Sequence, residues 1–196
     1  CEEIWFYETS FPLSLLGYVA EKMYVLLYRN VPALVVSQST KKNLSHYGFR
    51  KVFVMRDCID TKPIPTVVPK EKNMLIYVGR LKKSKRVHDI IQAFRLVQEK
   101  IPEATLHIVG RGDQAYEKEL RELSLHLNVT FHGYLSMFER NKLMTKSEAI
   151  LVASVKEGWG LIVVEANAHG TPAIVYDVDG LRDSVRDGET GLIVKE

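Results

Sequence analysis

The feature that most constrains this chain is a regular alternation of apolar strand patterns and helical patterns that begins at residue 74. Six apolar runs predict buried strands, at residues 74–78, 105–109, 129–131, 149–153, 173–176 and 191–194. The spacing of apolar residues predicts helices between them, at residues 85–99, 114–127, 137–146, 161–169 and 181–186. Because continuous apolar strands joined by helices form parallel sheets covered on both faces, we expect an α/β fold with a Rossmann-like, doubly wound parallel sheet.

Residues 1–56 carry a shorter version of the same pattern. The predicted elements are strands at 33–37 and 51–55 and a helix at 40–47. Ser39 or Thr40 is expected to cap this helix, and Gly48 to end it. The sheet partners of this βαβ piece are missing from the chain, so we expect part of a second Rossmann-like domain.

A long apolar stretch at residues 11–30 has the spacing of a helix. Glu21, Lys22 and Arg29 interrupt it, which makes it a poor transmembrane segment. We expect a helix with one face on a core, and an amphipathic helix lying on a membrane is the alternative. The apolar positions are Leu16, Val19, Ala20, Met23, Leu26 and Leu27.

Residues 57–73 have the composition of a connector. Pro63, Pro65 and Pro69 remove backbone donors and favour extended chain, and apolar periodicity is absent. We therefore expect an interdomain linker here, with separate domains at 1–56 and 74–196. The chain lacks an initiator Met and ends in a strand pattern, so both ends are expected to be cut.

Charge and cysteine content exclude some classes of protein. A net charge of +3 in 196 residues is too small to indicate nucleic-acid binding, and only a mild preference for anionic ligands follows. No signal peptide begins at Cys1. Cys1 and Cys58 lie far apart, so a reduced cytosolic chain is the simplest interpretation, and one disulfide remains open.

Ligands of such sheets bind beyond the carboxyl ends of the strands, so the strand-to-helix turns should carry the chemistry. After the first strand, residues 79–86 combine Gly79 with five cations near a helix N-terminus, a pattern that suits a diphosphate. A solvated basic loop is the alternative. Gly110, Arg111 and Gly112 form the second turn, where glycines allow close approach to a planar ligand; a plain strand-to-helix turn is the alternative.

The turn at residues 154–161 offers two kinds of group to a ligand. Gly158 and Gly160 expose backbone amides at a helix N-terminus, which bind oxygen anions. Glu157 and Glu165 supply acceptors for hydroxyl groups. A ligand rich in both phosphate and hydroxyl fits, which indicates a nucleotide sugar. Two ordinary surface glutamates are the alternative.

These segments together resemble one known family. Residues 157–172 (EGWGLIVVEANAHGTP) are similar to the E-x7-E segment of retaining glycosyltransferases of the GT-B fold, family 4, also called glycosyl transferases group 1. Residues 78–81 with Lys85 resemble its diphosphate-binding loop, and residues 180–181 and 187–192 its closing segments. Residues 37–48 resemble the end of its acceptor-side domain. The resemblance covers residues 33–196.

The resemblance implies a role for each matching position. Arg80 and Lys85 would bind the diphosphate and stabilise it as it leaves, Glu165 would bind the ribose hydroxyls and Glu157 the donor sugar. The turn at 110–113 and the segment 131–135 would flank the nucleobase. The implied donor-binding residues are Gly79, Arg80, Lys85, Gly110, Arg111, Tyr134, Leu135, Glu157, Gly158, Trp159, Gly160, Leu161, Ile162 and Glu165, with Glu157, Lys85 and Arg80 as catalytic candidates. The implied reaction transfers a sugar from a UDP- or GDP-sugar to a glycan or lipid-linked acceptor with retention of configuration.

The implied enzyme needs no cofactor and no obligatory metal. Asp177 and Asp179 resemble a metal-binding D-x-D, but that motif belongs to another fold. The resemblance also implies no nucleic-acid partner, a cytoplasmic location, and peripheral contact with the inner face of a membrane through the acceptor-side domain. Arg86 stands where the family usually has Gly, and Asp179 where a second Gly is frequent, which puts the shape of these two loops in question.

Two other functions stay open at this stage. A non-catalytic nucleotide-sugar or glycan-binding module could share the fold, although intact Glu157, Glu165, Arg80 and Lys85 favour the enzyme. A nucleotide-sugar epimerase of similar fold is weaker, because that group lacks this carboxylate spacing. The isolated chain is expected not to transfer sugar, because most of the acceptor domain would lie before Cys1.

Overall fold

The computed structural model describes residues 6, 9–60 and 68–195. It contains a two-stranded parallel sheet followed by a six-stranded parallel sheet with helices on both faces. The expected α/β fold with a Rossmann-like parallel sheet is therefore confirmed. In the larger sheet the strands stand in the order β5-β4-β3-β6-β7-β8, so the chain moves outward from β3 in one direction and then crosses back to continue in the other. The carboxyl ends of β3 and β6 meet at this reversal, where ligands bind on such sheets.

The first four elements form a small unit, comprising α1 (Leu13–Tyr28), β1 (Ala33–Val35), α2 (Gln38–His46) and β2 (Val52–Val54). The six-stranded sheet contains β3 (Met74–Val78), β4 (Thr105–Val109), β5 (Val129–Gly133), β6 (Ala149–Val152), β7 (Ala173–Tyr176) and β8 (Gly191–Val194). Its helices are α3 (Val87–Lys100), α4 (Gln114–Leu123), α5 (Met137–Lys146), α6 (Leu161–Ala168) and α7 (Leu181–Ser184), and a 3-10 turn at Lys83–Lys85 precedes α3.

The core of the larger sheet has two layers, one on each face. Alternate residues of β3 supply both, because Ile76 packs into one cluster and Tyr77 into the other, and both are at most 2% exposed. Burial of both faces explains why these strands have continuous apolar sequences rather than alternating ones.

Several ends of helices differ from the prediction, among them the end of α7 at Ser184 rather than at 186. The cap of α2 is Ser37, whose Oγ accepts a hydrogen bond from the backbone N–H of Thr40 at 3.1 Å, and neither Ser39 nor Thr40 takes this place. Helix α4 ends at Leu123 rather than at 127. Helix α3 begins at Val87 rather than at 85, because the residues before it form the 3-10 turn. For α2 and α3 a local hydrogen bond that apolar spacing does not report sets the boundary, from Thr40 N–H to Ser37 Oγ and from Arg86 N–H to Lys83 O.

The helix predicted near the start forms, but its apolar face does not lie on a core. Leu16, Met23 and Leu27 of α1 are between 62% and 77% exposed, and the buried residue of this helix is Ser14. The predicted burial is therefore wrong for the part of the chain that the structure describes, since no described element packs against this face. Among residues 9–60 and 68–195, no helix has the length and apolarity needed to cross a membrane.

The predicted linker is described only at its two ends, because residues 61–67, including Pro63 and Pro65, lie outside the described residues. Its second end is held on the larger sheet's side, where Lys70 Nζ donates to Ser147 O at 2.7 Å and to Thr171 Oγ1 at 2.6 Å. Cys58 is a free, exposed thiol, and Cys1 lies outside the described residues.

Candidate functional site at the carboxyl ends of the strands

The turns after β3 and β4 approach each other so closely that glycine is required. The Leu81 N–H donates to Arg111 O at 3.0 Å, which continues the parallel pairing beyond the strands. A Cβ built on Gly110 would lie 1.8 Å from Gly79 O, and one on Gly112 would lie 1.8 Å from Leu81 O. These glycines bring the two turns together as one surface, as the sequence predicts.

The basic loop after β3 presents two cations in different ways. Arg80 is exposed, and its backbone carbonyl accepts a 2.9 Å hydrogen bond from the buried Tyr77 hydroxyl. Burial raises the pKa of Tyr77, so this hydroxyl stays protonated and continues to donate. Lys85 ends the 3-10 turn, and its Nζ lies 2.5 Å from Glu157 Oε1. The structure thus brings together the two catalytic candidates Lys85 and Glu157.

Arg86 stands in a loop whose shape the sequence put in question. It has φ 47° and ψ 43°, the left-handed conformation that glycine adopts at no steric cost. Its guanidinium carbon lies 6.0 Å from the centre of the Tyr176 ring, on the neighbouring β7. Arg86 is therefore strained, at a position whose conformation suits Gly.

Glu157 is held in place by three contacts. Besides Lys85, Ser154 Oγ donates to its Oε1 at 2.8 Å, and its backbone N–H donates to Asp179 O at 3.0 Å. A Cβ on Gly180 would lie 2.1 Å from Glu157 O, so the loop after β7 packs directly against the loop after β6. The carboxylate is about one-fifth exposed, which leaves it reachable by a ligand in the cleft.

The N-terminus of α6 is open for an anion. Gly160 caps it at φ 74°, without a side-chain hydrogen bond to the first turn. Among the described residues, the backbone N–H groups of Gly160, Leu161 and Ile162 donate to no acceptor. Because unpaired amides and the helix dipole both favour negative charge, this end can bind phosphate or sugar oxygens.

Glu165 lies one helical turn further along α6 and is paired with a cation. Arg140 Nη2 of α5 is 2.8 Å from Glu165 Oε2. The angle of this contact is not that of a hydrogen bond, so the buried Oε2 accepts none from the described protein groups. At this short distance the two groups form an ion pair. Glu165 thus retains acceptor capacity for a ligand donor.

The predicted nucleobase side is assembled from the turns after β4 and β5. The Gly110 N–H donates to Gly133 O at 2.8 Å, and Arg111 is exposed beside Gly133. Tyr134 follows with 77% of its surface exposed, whereas Leu135 packs on the core. The structure therefore brings the predicted residues of this side to one end of the sheet.

A cleft of about 790 Å³ separates the small unit from the larger sheet. Lys85, Glu157 and Gly158 line it from the sheet side, and residues of α1, β1 and α2 line it from the other. Trp159 lies beside this cleft, with Arg56 5.5 Å from its ring centre, and its buried Nε1 has no hydrogen-bond partner among the described groups. A ligand here would touch both units.

The sequence did not indicate two residues near the site. Arg140 pairs with Glu165 across 25 positions, a separation at which no pattern gives a signal. Asn43 donates to Asp179 Oδ2 at 2.7 Å, which joins the two units. Asp179 was noticed as a departure from the family pattern, but its partner could not be deduced. Among the described residues, no group of three or more His, Cys, Asp or Glu side chains could hold a metal ion.

Comparison with known proteins decides the family. Residues 59–196 match the family described as glycosyl transferases group 1. The chain belongs to this family. The match covers the whole larger sheet and all the turns described above, and the fold is that of the Rossmann-like domains of GT-B enzymes.

Several curated members of the family are similar in sequence. A poly(glycerol-phosphate) alpha-glucosyltransferase of Bacillus subtilis is 34% identical over 155 residues, which cover 76% of this chain and 23% of that protein. A glycogen synthase of Mycobacterium tuberculosis is 32% identical over 150 residues, which cover 74% of this chain and 36% of that protein. The chain therefore spans about a quarter to a third of the length of these relatives.

Solved structures share the fold. TarM superposes with a TM-score of 0.78 at 18% identity, covering 90% of this chain and 36% of that one. The Anabaena protein HepE, solved in complex with UDP-glucose, superposes with a TM-score of 0.75 at 20% identity, covering 90% of this chain and 54% of that one. Both similarities extend beyond the larger sheet, since coverage of 90% exceeds the residues of the larger sheet alone.

Proposed function

We propose that this chain is the donor-binding part of a glycosyltransferase that takes sugar from a UDP- or GDP-sugar and passes it, with retention of configuration, to a glycan or lipid-linked acceptor. The observation that carries the proposal is the convergence of unpaired amides at the start of α6 with two carboxylates, Glu157 and Glu165. Each carboxylate already faces a cation, so the site offers donors for phosphate and acceptors for hydroxyls together.

The proposed roles follow from the charge and position of each group. Arg80 and Lys85 bind the diphosphate and stabilise the negative charge that builds on it as the sugar bond breaks. The amides of Gly160 and Leu161 add donors that are already oriented, so they cost no reorganisation. Because Lys85 Nζ bridges to Glu157 Oε1, an incoming diphosphate would compete for this cation and release Glu157 toward the sugar.

Glu165, deeper along α6, accepts from the ribose hydroxyls while Arg140 holds its carboxylate in position. Tyr134, Leu135 and the turn of Gly110 and Arg111 flank the nucleobase. Gly79, Gly158, Trp159 and Ile162 complete the donor site through close backbone approach or packing. The named functions of the relatives, an alpha-glucosyltransferase and a glycogen synthase, support glucose as the first sugar to test.

The domain assignment belongs to the same proposal. Residues 1–56 would be the end of the acceptor-side domain, 57–73 the linker and 74–196 the donor-binding domain. The separate two-stranded and six-stranded sheets support this division. The cleft between them is where donor and acceptor would meet, and such positioning supplies much of the rate of a transfer reaction.

Calorimetry with UDP, GDP and UDP-glucose, in EDTA, tests the donor site. One of the two diphosphates is expected to bind, and Lys85→Ala to weaken it by about tenfold, because hydrogen bonds to charged groups contribute about 1.5–3 kcal/mol. Lys83→Ala is the matched control, since Lys83 is an exposed cation of the same turn. Absence of binding by a folded chain, or equal losses in both variants, would reject the proposed site.

A membrane surface is proposed as a further partner because of α1. Leu16, Met23 and Leu27 are exposed on this helix, and apolar faces of this kind bind the lipid interface. Sedimentation with phosphatidylglycerol vesicles should bring down the chain, and replacing these three residues by Ser should leave it in the supernatant. Replacing three exposed polar residues of α4, Glu119, Glu122 and Lys118, by Ser is the control. Equal sedimentation of the two triple variants would contradict the proposal.

A further inference from the structure

The small unit is joined to the larger sheet through two carboxylates at the start of α7. Asn43 Nδ2 of α2 donates to Asp179 Oδ2 at 2.7 Å. The backbone N–H of Ser39, also in α2, lies 3.2 and 3.3 Å from the two oxygens of Asp183. Both contacts therefore connect one helix of the small unit to one loop of the larger sheet.

Asp179 stands where a second Gly is frequent in the family that the sequence resembles, so this chain has a side chain where Gly would have none. Its carboxylate is surrounded by positive and donating groups, with Arg182 Nη1 at 2.9 Å and Lys156 Nζ at 3.7 Å. Burial acts to raise the pKa of Asp179, but the Asn43 hydrogen bond and the two cations outweigh it and lower the pKa overall. The carboxylate is thus ionised at neutral pH and accepts strongly from Asn43.

The backbone of Asp179 holds the loop that carries Glu157. Asp179 O accepts the Glu157 N–H at 3.0 Å, and Gly180 approaches Glu157 O too closely for any Cβ. Because these two loops have no space between them, a shift of Asp179 must move Glu157 as well. Asn43, Asp179 and Glu157 therefore form a continuous path from α2 to the proposed sugar-binding carboxylate.

We propose that Asp179 is a positioning residue that couples the small unit to Glu157. Its carboxylate binds Asn43 and its carbonyl binds the Glu157 amide, so the position of α2 sets where the Glu157 carboxylate meets the donor sugar. This inference rests on the proposed function, in which Glu157 binds the donor sugar and the rest of the site binds the nucleotide. It differs from that function in assigning control of the sugar contact to residues outside the donor site.

The first test separates binding of the sugar from binding of the nucleotide. Two dissociation constants are measured, one for the diphosphate that binds and one for its glucose derivative. The variants are Asp179→Gly, Asn43→Ala and the double variant. The sugar advantage is the ratio of the dissociation constant of the diphosphate to that of its glucose derivative. We expect this ratio to fall by about fivefold in each single variant. It should fall no further in the double variant, because Asn43 and Asp179 act through the same contact. The affinity for the diphosphate should stay within about twofold.

Asp177→Ala is the matched control. Asp177 also pairs with Arg182, at 2.6 Å, but the structure gives it no contact with described residues of the small unit. It should leave the sugar advantage unchanged. Equal loss in this control, additive losses in the double variant, or a parallel loss of diphosphate affinity would overturn the positioning role.

The second test needs no ligand, so it stands even if the proposed function fails. Amide hydrogen exchange is compared for peptides covering residues 36–46 and 155–161. Asn43→Ala and Asp179→Gly should each speed exchange in both peptides, because either change removes the hydrogen bond between Asn43 and Asp179. Asp177→Ala should not change the exchange. Faster exchange confined to one peptide would show that the two loops are not coupled. Absence of diphosphate binding with coupled exchange would reject the proposed function alone.

Discussion

At the level of single residues, each carboxylate of the proposed site already forms an ion pair with a cationic side chain. Lys85 faces Glu157 and Arg140 faces Glu165, with side chains that are 21% to 26% exposed. Pairs with this much solvent contribute little to the free energy of unfolding. They contribute orientation instead, because each carboxylate is held in position before a ligand arrives.

Glu165→Ala is expected to weaken binding of the diphosphate that the site selects by about tenfold or more, because it removes the acceptor for two ribose hydroxyls and charge-assisted hydrogen bonds contribute about 1.5–3 kcal/mol. The melting temperature without ligand should scarcely move, since Arg140 remains partly solvated when its partner is lost. Calorimetry and thermal melts measure the two effects. Glu119→Ala, at an exposed position of α4, is the control, and unfolding of Glu165→Ala would make Glu165 structural instead.

The sequence predicted residues of the site unevenly, for a physical reason. Gly110 and Gly160 could be found because turns that approach a ligand need glycine, and this need is local. Arg140 and Asn43 could not, because each reaches the site from a different element and its partner is distant in sequence. The predicted functional roles themselves remain predictions, which the binding experiments test.

At the level of elements, the sequence predicted which segments form helices and strands better than it predicted the residues at which they begin and end. Every strand of the larger sheet was expected because burial on both faces leaves a continuous apolar run. The cap at Ser37 was missed because it depends on one hydrogen bond to Thr40. The exposed face of α1 was missed for another reason: apolar spacing reports that a face is apolar, but not that something covers it.

The loop after β3 depends on the left-handed conformation of Arg86. Arg86→Gly should keep the diphosphate affinity, because glycine adopts this conformation freely. Arg86→Val should lower the free energy of unfolding by about 1–2 kcal/mol relative to Arg86→Gly, because a β-branched residue resists it. Urea unfolding and calorimetry of the two variants provide the measurement. Equal stability and equal affinity would show that the conformation does not matter.

Strands β4 and β5 carry a histidine pair that makes stability depend on pH. His107 Nδ1 and His132 Nε2 lie 2.8 Å apart, and the rings stack at 5.1 Å. Burial, and for His107 also the neighbouring His132, lowers both pKa values below the ordinary 6.5. At pH values between the lowered pKa values and 6.5, the unfolded chain binds more protons than the folded chain. The contribution of this pair to the free energy of unfolding is therefore complete above pH 6.5 and is lost as the solution is acidified.

Urea unfolding at pH 7.5 and pH 5.5 measures this dependence. His132→Val removes the pair, so its loss of stability on acidification should be smaller than that of the unchanged chain. His126→Asn is the control, because His126 is exposed and has φ 67°, a conformation that Asn tolerates. It should retain the full dependence, and a dependence that follows His126 would exclude the pair as its cause.

At the level of the whole molecule, the two units are unequal. The larger one has six strands with a core on both faces, whereas the small one has two three-residue strands, and its residues Leu34 and Phe53 are 69% and 58% exposed. Val35 and Val52 are the buried residues of these two strands, and a two-stranded sheet that buries so little is marginal in water. Contacts such as Asn43 with Asp179 join the units without giving the small one a core.

We therefore expect the small unit to unfold first. In hydrogen exchange with increasing urea, peptides from residues 9–56 should open at lower urea than peptides from 74–194. The diphosphate that binds, at about one hundred times its dissociation constant, should stabilise the larger unit by about 2.7 kcal/mol and leave the small one nearly unchanged, because the proposed phosphate and ribose contacts all belong to the larger sheet. In the variant Glu165→Ala, the same concentration of the diphosphate should stabilise the larger unit less. This difference would show that the stabilisation comes from binding at the proposed site. A single transition for both segments, moved equally by the nucleotide, would show that they form one cooperative domain and that the proposed division at residues 57–73 is wrong.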